Sequence, residues 1–268
     1  MTRRLYLSLA FAIALAPLAS ADILVIPLVY NGPGAYGATW HTSVTVSNRS
    51  QHFWLASSGN LQFVYCEGAP DGCTGADGSP YLTTNMTGKI ISDAPHGVVI
   101  NDSEGAAFAT AHIAAEPRDP DTEGTEIPIA HDADFVSSKK MVNVPTGVTS
   151  GHPVRVLLRL YALLPSSSPP FSSATGTVII TAYDLKNSSV AAAQIEVTLK
   201  AYAPGEPAYA EVDLSRFASI APFVNLDIDA GQIDPVSHGT FPSSKMNVWG
   251  FATVTDNATN DVITISAR

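Results

Sequence analysis

The amino-acid sequence predicts an all-β protein built from antiparallel β-sandwiches. Apolar and polar residues alternate along much of the chain, which is the periodicity of strands with one buried face. No stretch keeps its apolar residues at helical spacing for three turns. Turn-forming segments separate the apolar runs, and only 14% of the residues are charged. Many short strands joined by such turns are typical of sandwich folds.

The first half of the chain begins with a continuous apolar run and continues with shorter alternating segments. Strands are predicted at residues 23–30, 40–48, 53–55, 61–65, 89–91, 98–100 and 106–114, with short edge strands at 127–129 and 141–144. Prolines and clustered acids at residues 116–126 predict a surface loop, because neither suits a paired strand.

The second half is more regular. Between Val154 and Leu160 the even-numbered residues are apolar, whereas Arg155 and Arg159 belong to the opposite face of the predicted strand 154–164. Further strands are predicted at residues 177–185, 195–200, 208–214, 223–228, 246–255 and 262–266, with a short helical turn around 215–217.

A segment rich in Pro, Gly and Thr at residues 145–153 separates the two series of strands. We therefore expect an N-terminal sandwich at residues 22–148 and a C-terminal sandwich at residues 149–268, of Ig-like or jelly-roll-like type and arranged in tandem. One continuous, larger sandwich is the alternative, because this chain length suits one large domain or two average ones.

Residues 1–21 have the features of a signal peptide. Arg3 and Arg4 precede an apolar run, and small residues up to Ala21 form a cleavage site. The run is shorter than the roughly 20 apolar residues of a membrane span, which disfavours an uncleaved anchor. No later segment is long and apolar enough to insert into a membrane. The protein is therefore predicted to be secreted or periplasmic after cleavage near Ala21.

The chain is acidic, with a formal net charge of −10. Cleavage would remove Arg3 and Arg4 but no acid, which makes the charge two units more negative. Nucleic acids and anionic membranes bind clustered Lys and Arg, so this balance disfavours both as partners. We expect a protein or glycan partner outside the cytoplasm.

The two cysteines, Cys66 and Cys73, lie close together in the sequence. An oxidising compartment predicts a disulfide between them, and the intervening Gly-Ala-Pro-Asp-Gly segment is typical of a turn. Zinc binding is the alternative, but it needs more thiol or imidazole ligands than this loop contains.

Two segments carry a resemblance to known proteins. Residues 33–42 read Pro-Gly-Ala-Tyr-Gly-Ala-Thr-Trp-His-Thr, and residues 249–261 read Trp-Gly-Phe-Ala-Thr-Val-Thr-Asp-Asn-Ala-Thr-Asn-Asp. Together they resemble a group of largely uncharacterised secreted bacterial β-sandwich (Ig-like) proteins, which have a Pro-Gly…Gly-Ser-x-Trp loop and a C-terminal Ser-Val-x-Asp-Asn-x-Thr-x-Asp motif. Ala38 and Ala252 stand where the group usually has serine. The resemblance implies the compartment and the fold, and no catalytic activity.

Catalytic motifs are missing from the sequence. It has no Gly-x-Ser-x-Gly nucleophile elbow, and Ser237-His238 is an isolated pair of a kind that is common in loops. The segment His131-Asp132-Ala133-Asp134 could present two metal ligands from a turn, with His112 joining them through the fold, but a polar loop is the favoured explanation.

The sequence predicts no cofactor, and a calcium ion is the alternative. Asp119, Asp121 and Glu123 occupy alternate positions ahead of Gly124, and such oxygen ligands suit a loop-fixing calcium ion. The segment lacks the glutamate at the twelfth position of an EF-hand loop. A similar series, Asn225, Asp227 and Asp229, is explained as the polar face of a strand.

Carbohydrate binding would use exposed aromatic rings as platforms. Tyr36 in its glycine-rich loop and Trp54 are the candidates, whereas the parity of Trp40 with Val44 predicts burial. We expect a secreted, non-catalytic structural or interaction protein of the adhesion type. A carbohydrate-binding module is the second hypothesis, and a hydrolase with a site assembled from distant residues is the third.

Overall fold

The computed structural model describes residues 22–34, 39–48, 54–56, 63–67, 86–90, 94–102, 107–116, 124–149, 152–163, 175–202, 206–234, 246–259 and 261–268. In chain order the strands are β1 (Asp22–Ile26), β2 (Asn31–Pro33), β3 (Thr39–Asn48), β4 (Trp54–Ala56), β5 (Phe63–Glu67), β6 (Met86–Ile90), β7 (Val98–Asp102), β8 (Ala107–Glu116), β9 (Thr125–Glu126), β10 (Ala130–His131), β11 (Ser138–Pro145), β12 (Val148–Thr149), β13 (His152–Leu163), β14 (Thr175–Asp184), β15 (Asn187–Lys200), β16 (Ala208–Asp213), β17 (Phe223–Asp234), β18 (Asn247–Asp256) and β19 (Val262–Ser266). Short 3-10 turns occupy Asp132–Asp134 and Leu214–Phe217, the second of them at the predicted helical turn.

The strands form three antiparallel sheets. Sheet A has the order β10-β1-β7-β4, and sheet B has the order β5-β6-β3-β8-β9 with β2 beside β3. Sheet C has the order β11-β17-β14-β15-β16-β13-β18-β19 with β12 beside β13. The predicted all-β, antiparallel fold of the sandwich class is confirmed.

Sheets A and B pack face to face around one hydrophobic core. Ile26 and Ile100 of sheet A and Val44 and Val46 of sheet B are buried in it. Successive side chains of a strand point to opposite faces, so the burial of both Val25 and Ile26 shows that β1 is covered on both sides. The same cluster includes side chains of sheet C: Tyr161, Tyr209, Trp249 and Phe251.

Sheet C curls until its two ends meet. The backbones of Lys140 on β11 and the C-terminal Arg268 exchange two hydrogen bonds of 2.9 Å. The inner face encloses a second core, which contains Leu158, Leu160 and Ile180. The two bonds join the end strand β11 to the residues that follow β19, so the sheet is nearly closed on itself.

Strand β13 has a different role on each face. Its even-numbered residues from Val156 to Ala162 lie in the inner core of sheet C. Its odd-numbered residues, including Arg155 and Arg159, lie on the opposite face, as the sequence alternation predicted, and this face lies against residues of sheets A and B. The two-residue period of the strand thus places a row of polar and aromatic side chains between two layers.

Two local features differ from the predicted boundaries. The predicted strand at residues 23–30 ends at Ile26, because Pro27 has no N–H to donate to a ladder. Val29 then forms an isolated bridge with Ala94. The short edge strand predicted at residues 141–144 of the first half is longer, Ser138–Pro145, and this strand β11 lies in sheet C, where it pairs with β17 of the second half. The division into domains at 148/149 stays a prediction.

In the part of the chain that the structure describes, no helix has the length and apolar character needed to cross a bilayer. The predicted signal peptide, residues 1–21, lies outside the described residues.

Candidate binding cleft

The outer face of sheet C carries the charged side chains of the candidate site. Arg159 on β13 lies directly opposite Glu211 on β16 and Phe251 on β18. Cβ atoms of directly opposed residues lie about 5 Å apart, so the side chains of such a pair can interact across the ladder. The register of three central strands therefore fixes the position of this ion pair.

Arg159 is held by two strands at once. Its Nη2 lies 3.0 Å from Glu211 Oε2, and its Nη1 donates to Thr253 Oγ1 at 2.6 Å. The side chain of Arg159 is 12% exposed and that of Glu211 is 34% exposed. Among the described residues the buried Nε of Arg159 has no hydrogen-bond acceptor. The guanidinium thus retains donor capacity that the neighbouring strands do not use.

Two tyrosines lie beside this pair. The hydroxyl of Tyr209 donates to Glu211 Oε2 at 3.1 Å, and the ring of Tyr209 lies 5.3 Å from that of Tyr161. Burial raises the pKa of Tyr209 well above 10, and the negative charge of Glu211 raises it further. Burial likewise raises the pKa of Tyr161. Both hydroxyls therefore stay neutral donors in the pH range in which proteins function.

Another wall of the cleft, called here the β1–β3 segment, comes from the described residues 27–34 after β1 and from Trp40 at the start of β3. Thr42 exchanges hydrogen bonds with the backbone of Tyr30, at 3.1 Å from the Tyr30 N–H and 3.0 Å to its carbonyl. The Tyr30 hydroxyl donates to the Pro33 carbonyl at 2.8 Å. A Cβ on Gly34 would lie 2.0 Å from Nε1 of Trp40, so the indole rests where only glycine leaves room. These contacts hold Tyr30 and Trp40 beside the cleft.

A turn before β7 forms the third side. The ring of His96 stacks on Tyr202 with centroids 4.0 Å apart, and its Nδ1 lies 3.3 Å from Glu206 Oε2. Gly97 follows with a φ of 94°, a conformation that glycine adopts without strain. The turn is thereby fixed against the segment that precedes β16.

Together these elements enclose a cleft of about 400 Å³ between the outer face of sheet C and the β1–β3 segment. That volume lies in the range of small-molecule sites. Its polar and aromatic walls include Tyr30, Trp40, His96, Arg155, Arg159 and Glu211. The described lining residues include two arginines and one acid, which gives them a net charge of +1. The whole chain, in contrast, has a net charge of −10.

Of the residues that the sequence predicted for ligand, metal or disulfide sites, the structure describes Trp54 and Cys66. Tyr36 lies outside the described residues, although Gly34 and Trp40 on either side of it line the cleft. Trp54 belongs to β4 at the end of sheet A. Asp119, Asp121 and Glu123 lie outside the described residues. The calcium and sugar-platform hypotheses therefore stay predictions.

The predicted disulfide also stays a prediction, because Cys73 lies outside the described residues while Cys66 belongs to β5. Ser237 and His238 are likewise outside the described part. Nowhere among the described residues do three His, Cys, Asp or Glu side chains gather as they would around a metal ion. In the segment considered for a metal site, the carboxylate of Asp134 accepts a hydrogen bond from the backbone N–H of His131 at 2.8 Å and caps a 3-10 turn.

The sequence reasoning missed the residues that build the cleft. A signal was present, because Arg155 and Arg159 alternate with apolar residues on a strand that is buried on its other face. An arginine pair on the exposed side of a long strand is usually a solvated face, so the pattern alone indicates no site. The decisive feature is the β1–β3 segment that covers this face, and it comes from more than a hundred residues away.

Comparison with known proteins does not add a relative. No family model matches the sequence, no curated protein matches it, and no solved structure matches the fold.

Proposed function

We propose that this is an exported, non-catalytic interaction protein of the adhesion type and that it binds its partner through the cleft. The observation that carries the proposal is the chemistry of the walls. Aromatic side chains and an exposed arginine surround a cleft of about 400 Å³ whose one described carboxylate is already engaged. Such a mixture of apolar surface with a few fixed polar groups is typical of binding sites.

The geometry of Glu211 favours binding over acid–base catalysis. Glycoside hydrolysis by paired carboxylates needs two acids about 5–10 Å apart, one on each side of the scissile bond. Glu211 is the one acid among the described lining residues, and Arg159 and Tyr209 both contact it. Both contacts are made to Oε2 of Glu211, so donors of the protein itself already occupy that oxygen.

Export is part of this proposal and rests on the sequence of residues 1–21. Protein purified from outside the cytoplasm of an expressing bacterium is expected to begin at Asp22 when its N-terminus is sequenced. A product that retains Met1 or the apolar run in that fraction would contradict cleavage.

A binding assay tests the proposed role of the cleft. We expect a glycan and protein array to give at least one signal that falls about ten-fold or more in Trp40→Ala, because the indole forms a wall. The matched control is Trp54→Ala, which removes the same ring from the end of sheet A and should leave the signal unchanged. Turnover of an ester, peptide or glycoside that is lost in Glu211→Gln would instead favour the hydrolase hypothesis.

Carbohydrate is the second candidate class of partner. Trp40 and Tyr30 place two aromatic rings on one wall, and Tyr36 belongs to the same segment. Aromatic faces stack on the apolar faces of sugar rings, while neighbouring polar groups bind the hydroxyls. A signal restricted to glycans would support this candidate, and signals restricted to proteins would exclude it.

A further inference from the structure

The two arginines of the cleft differ in how their charge is balanced. Arg159 is paired with Glu211 at 3.0 Å and is mostly buried. Arg155 lies four residues earlier on the same face of β13, about 13 Å away along a strand, and is exposed. In the described part of the chain, no carboxylate lies within ion-pair distance of Arg155. The unbalanced positive charge of the cleft therefore lies at Arg155.

The two acids nearest to Arg155 in the sheet register bind backbone groups. Asp256 lies opposite Val154, on the other face of the sheet, and its Oδ1 accepts the backbone N–H of Ala258 at 2.7 Å. Asp213 lies opposite Leu157, between the two arginines in register. Its Oδ1 accepts the backbone N–H of Ser215 at 2.9 Å and caps the 3-10 turn at Leu214–Phe217. Asp213 is not among the residues that line the cleft. An arginine that faces a cleft with an unneutralised charge is suited to bind an anion.

The part of the cleft beside Arg155 that β18 contributes carries hydroxyl and amide side chains. These suit the hydroxyl groups of a ligand better than a second charged group. Thr253, Thr255 and Asn257 follow one another at the two-residue period of β18 and its turn, and all three line the cleft. Thr255 lies directly opposite Arg155 in the ladder. Hydroxyl and amide groups donate and accept hydrogen bonds, so this row can bind neutral polar substituents next to the anion.

The wall that faces this row is apolar and aromatic. Leu28, Tyr30, Trp40 and Ile113 contribute to it. A cleft of about 400 Å³ has room for a single ring with its substituents. The ring face would lie against the aromatic wall and its charged substituent would point to Arg155.

From these placements, and resting on the proposed binding role of the cleft, we infer that the cleft binds a single-ring ligand bearing a carboxylate that pairs with Arg155. Two sources share this chemistry: a sugar acid such as a hexuronate, and an aromatic carboxylic acid. Both supply a planar anion for bidentate contact with a guanidinium and a ring for the aromatic wall.

Isothermal titration calorimetry on the purified mature chain tests the inference with four probes. Glucuronate and benzoate are titrated against their neutral counterparts, glucose and benzyl alcohol, each at up to about 10 mM because sites for single rings are often of millimolar affinity. We expect at least one carboxylate to bind about ten-fold or more tightly than its neutral counterpart. Binding of glucuronate alone assigns the sugar source, and binding of benzoate alone assigns the aromatic source.

Variants locate the bound carboxylate. Arg155→Gln is expected to weaken binding about ten-fold or more, since it removes the charge and the fork of donors. Arg216→Gln is the matched control, because Arg216 is exposed and does not line the cleft. Circular dichroism and the thermal midpoint of both variants should match those of the wild type, because both side chains lie at the surface. Affinity should also fall with added salt.

Three results would overturn the inference: no heat with either carboxylate, equal binding of the neutral probes, or unchanged affinity in Arg155→Gln. The array in the previous subsection separates these failures from a failure of the proposed function. A neutral partner whose binding depends on Trp40 would refute the carboxylate and retain the cleft. No signal that depends on Trp40 would refute both.

Discussion

The hydroxyl of Tyr161 donates a hydrogen bond of 2.6 Å to the carbonyl oxygen of Pro27. Tyr161 projects from β13 in sheet C, and Pro27 follows β1 in sheet A, so one side chain joins two layers of the molecule. Tyr161 is fully buried, and its ring packs against Tyr209 and Trp249. The bond therefore attaches Pro27, the neighbour of the cleft-lining Leu28, to sheet C.

Tyr161→Phe is expected to lower the free energy of unfolding by about 1–3 kcal/mol, because it leaves the Pro27 carbonyl buried without its donor. Chemical denaturation of the wild type and the variant measures the difference. Tyr202→Phe is the control, since Tyr202 is 50% exposed and its change should stay within about 0.5 kcal/mol. Equal stability of all three proteins would show that the bond contributes little.

Alkaline pH is expected to destabilise the protein through Tyr161 and Tyr209. Burial raises the pKa of both phenols above that of an unfolded tyrosine. Their stabilising contribution is therefore complete below the unfolded value of about 10 and is lost as the pH rises above it. The free energy of unfolding should fall by up to about 1.4 kcal/mol per pH unit for each phenol.

Denaturant unfolding at a series of pH values between about 8 and 12 measures that slope, and absorbance of the phenolate follows ionisation directly. Tyr161→Phe should reduce the slope above pH 10 or so, since one of the two titrating groups is gone. A slope that is the same in wild type and variant would contradict the assignment to Tyr161.

Gly97→Ala should destabilise the turn that carries His96. The φ of Gly97 is 94°, and an added Cβ would lie 2.9 Å from the Ile26 carbonyl oxygen. Strain and contact together are expected to cost about 2–4 kcal/mol. Gly147→Ala is a matched control, because it combines a φ of 122° with a nearest atom at 3.5 Å. If Gly147→Ala loses less stability than Gly97→Ala, the difference comes from the contact with β1. Equal losses of stability would assign the whole effect to backbone strain.

Glu211→Gln should leave Arg159 without its countercharge. The pair is only partly shielded from water, so the expected loss of stability is about 1–2 kcal/mol, smaller than for a fully buried pair. Equilibrium unfolding at low ionic strength measures it. Glu196→Gln on the exposed side of β15 is the matched control and should be neutral. An unchanged free energy of unfolding in Glu211→Gln would mean that water or Thr253 compensates for the lost ion pair.

The predicted Cys66–Cys73 bridge has a direct chemical test. In denaturant without reductant, neither thiol should react with an alkylating agent, and reduction should expose both to mass-detectable modification. Closing so short a loop contributes roughly 2–3 kcal/mol on the chain-entropy model, so Cys73→Ser should lower the stability by up to that amount. Alkylation of both thiols without reduction would refute the bridge.

Local patterns in the sequence predicted most strands because side-chain alternation and turn residues act over short distances. The strand predicted at residues 154–164 is observed at His152–Leu163, and the one predicted at 246–255 is observed at Asn247–Asp256. Alternation also assigned Arg155 and Arg159 to the face opposite Leu158, as found. Pro27 was the local exception, since a single missing N–H ended a strand that hydropathy alone would have continued.

Side-chain alternation, turn residues and composition were enough to predict the all-β class, the faces of the principal strands and the acidic balance of the chain. Only the packing of segments distant in sequence brings Pro27 to Tyr161 and Glu211 to Arg159, and places Trp40 in the same cleft as Arg155. The physical reason is the range of the interactions. Alternation and turn chemistry involve neighbours in sequence, whereas the cleft forms where layers distant in sequence pack together, and no local pattern encodes which face will receive which layer.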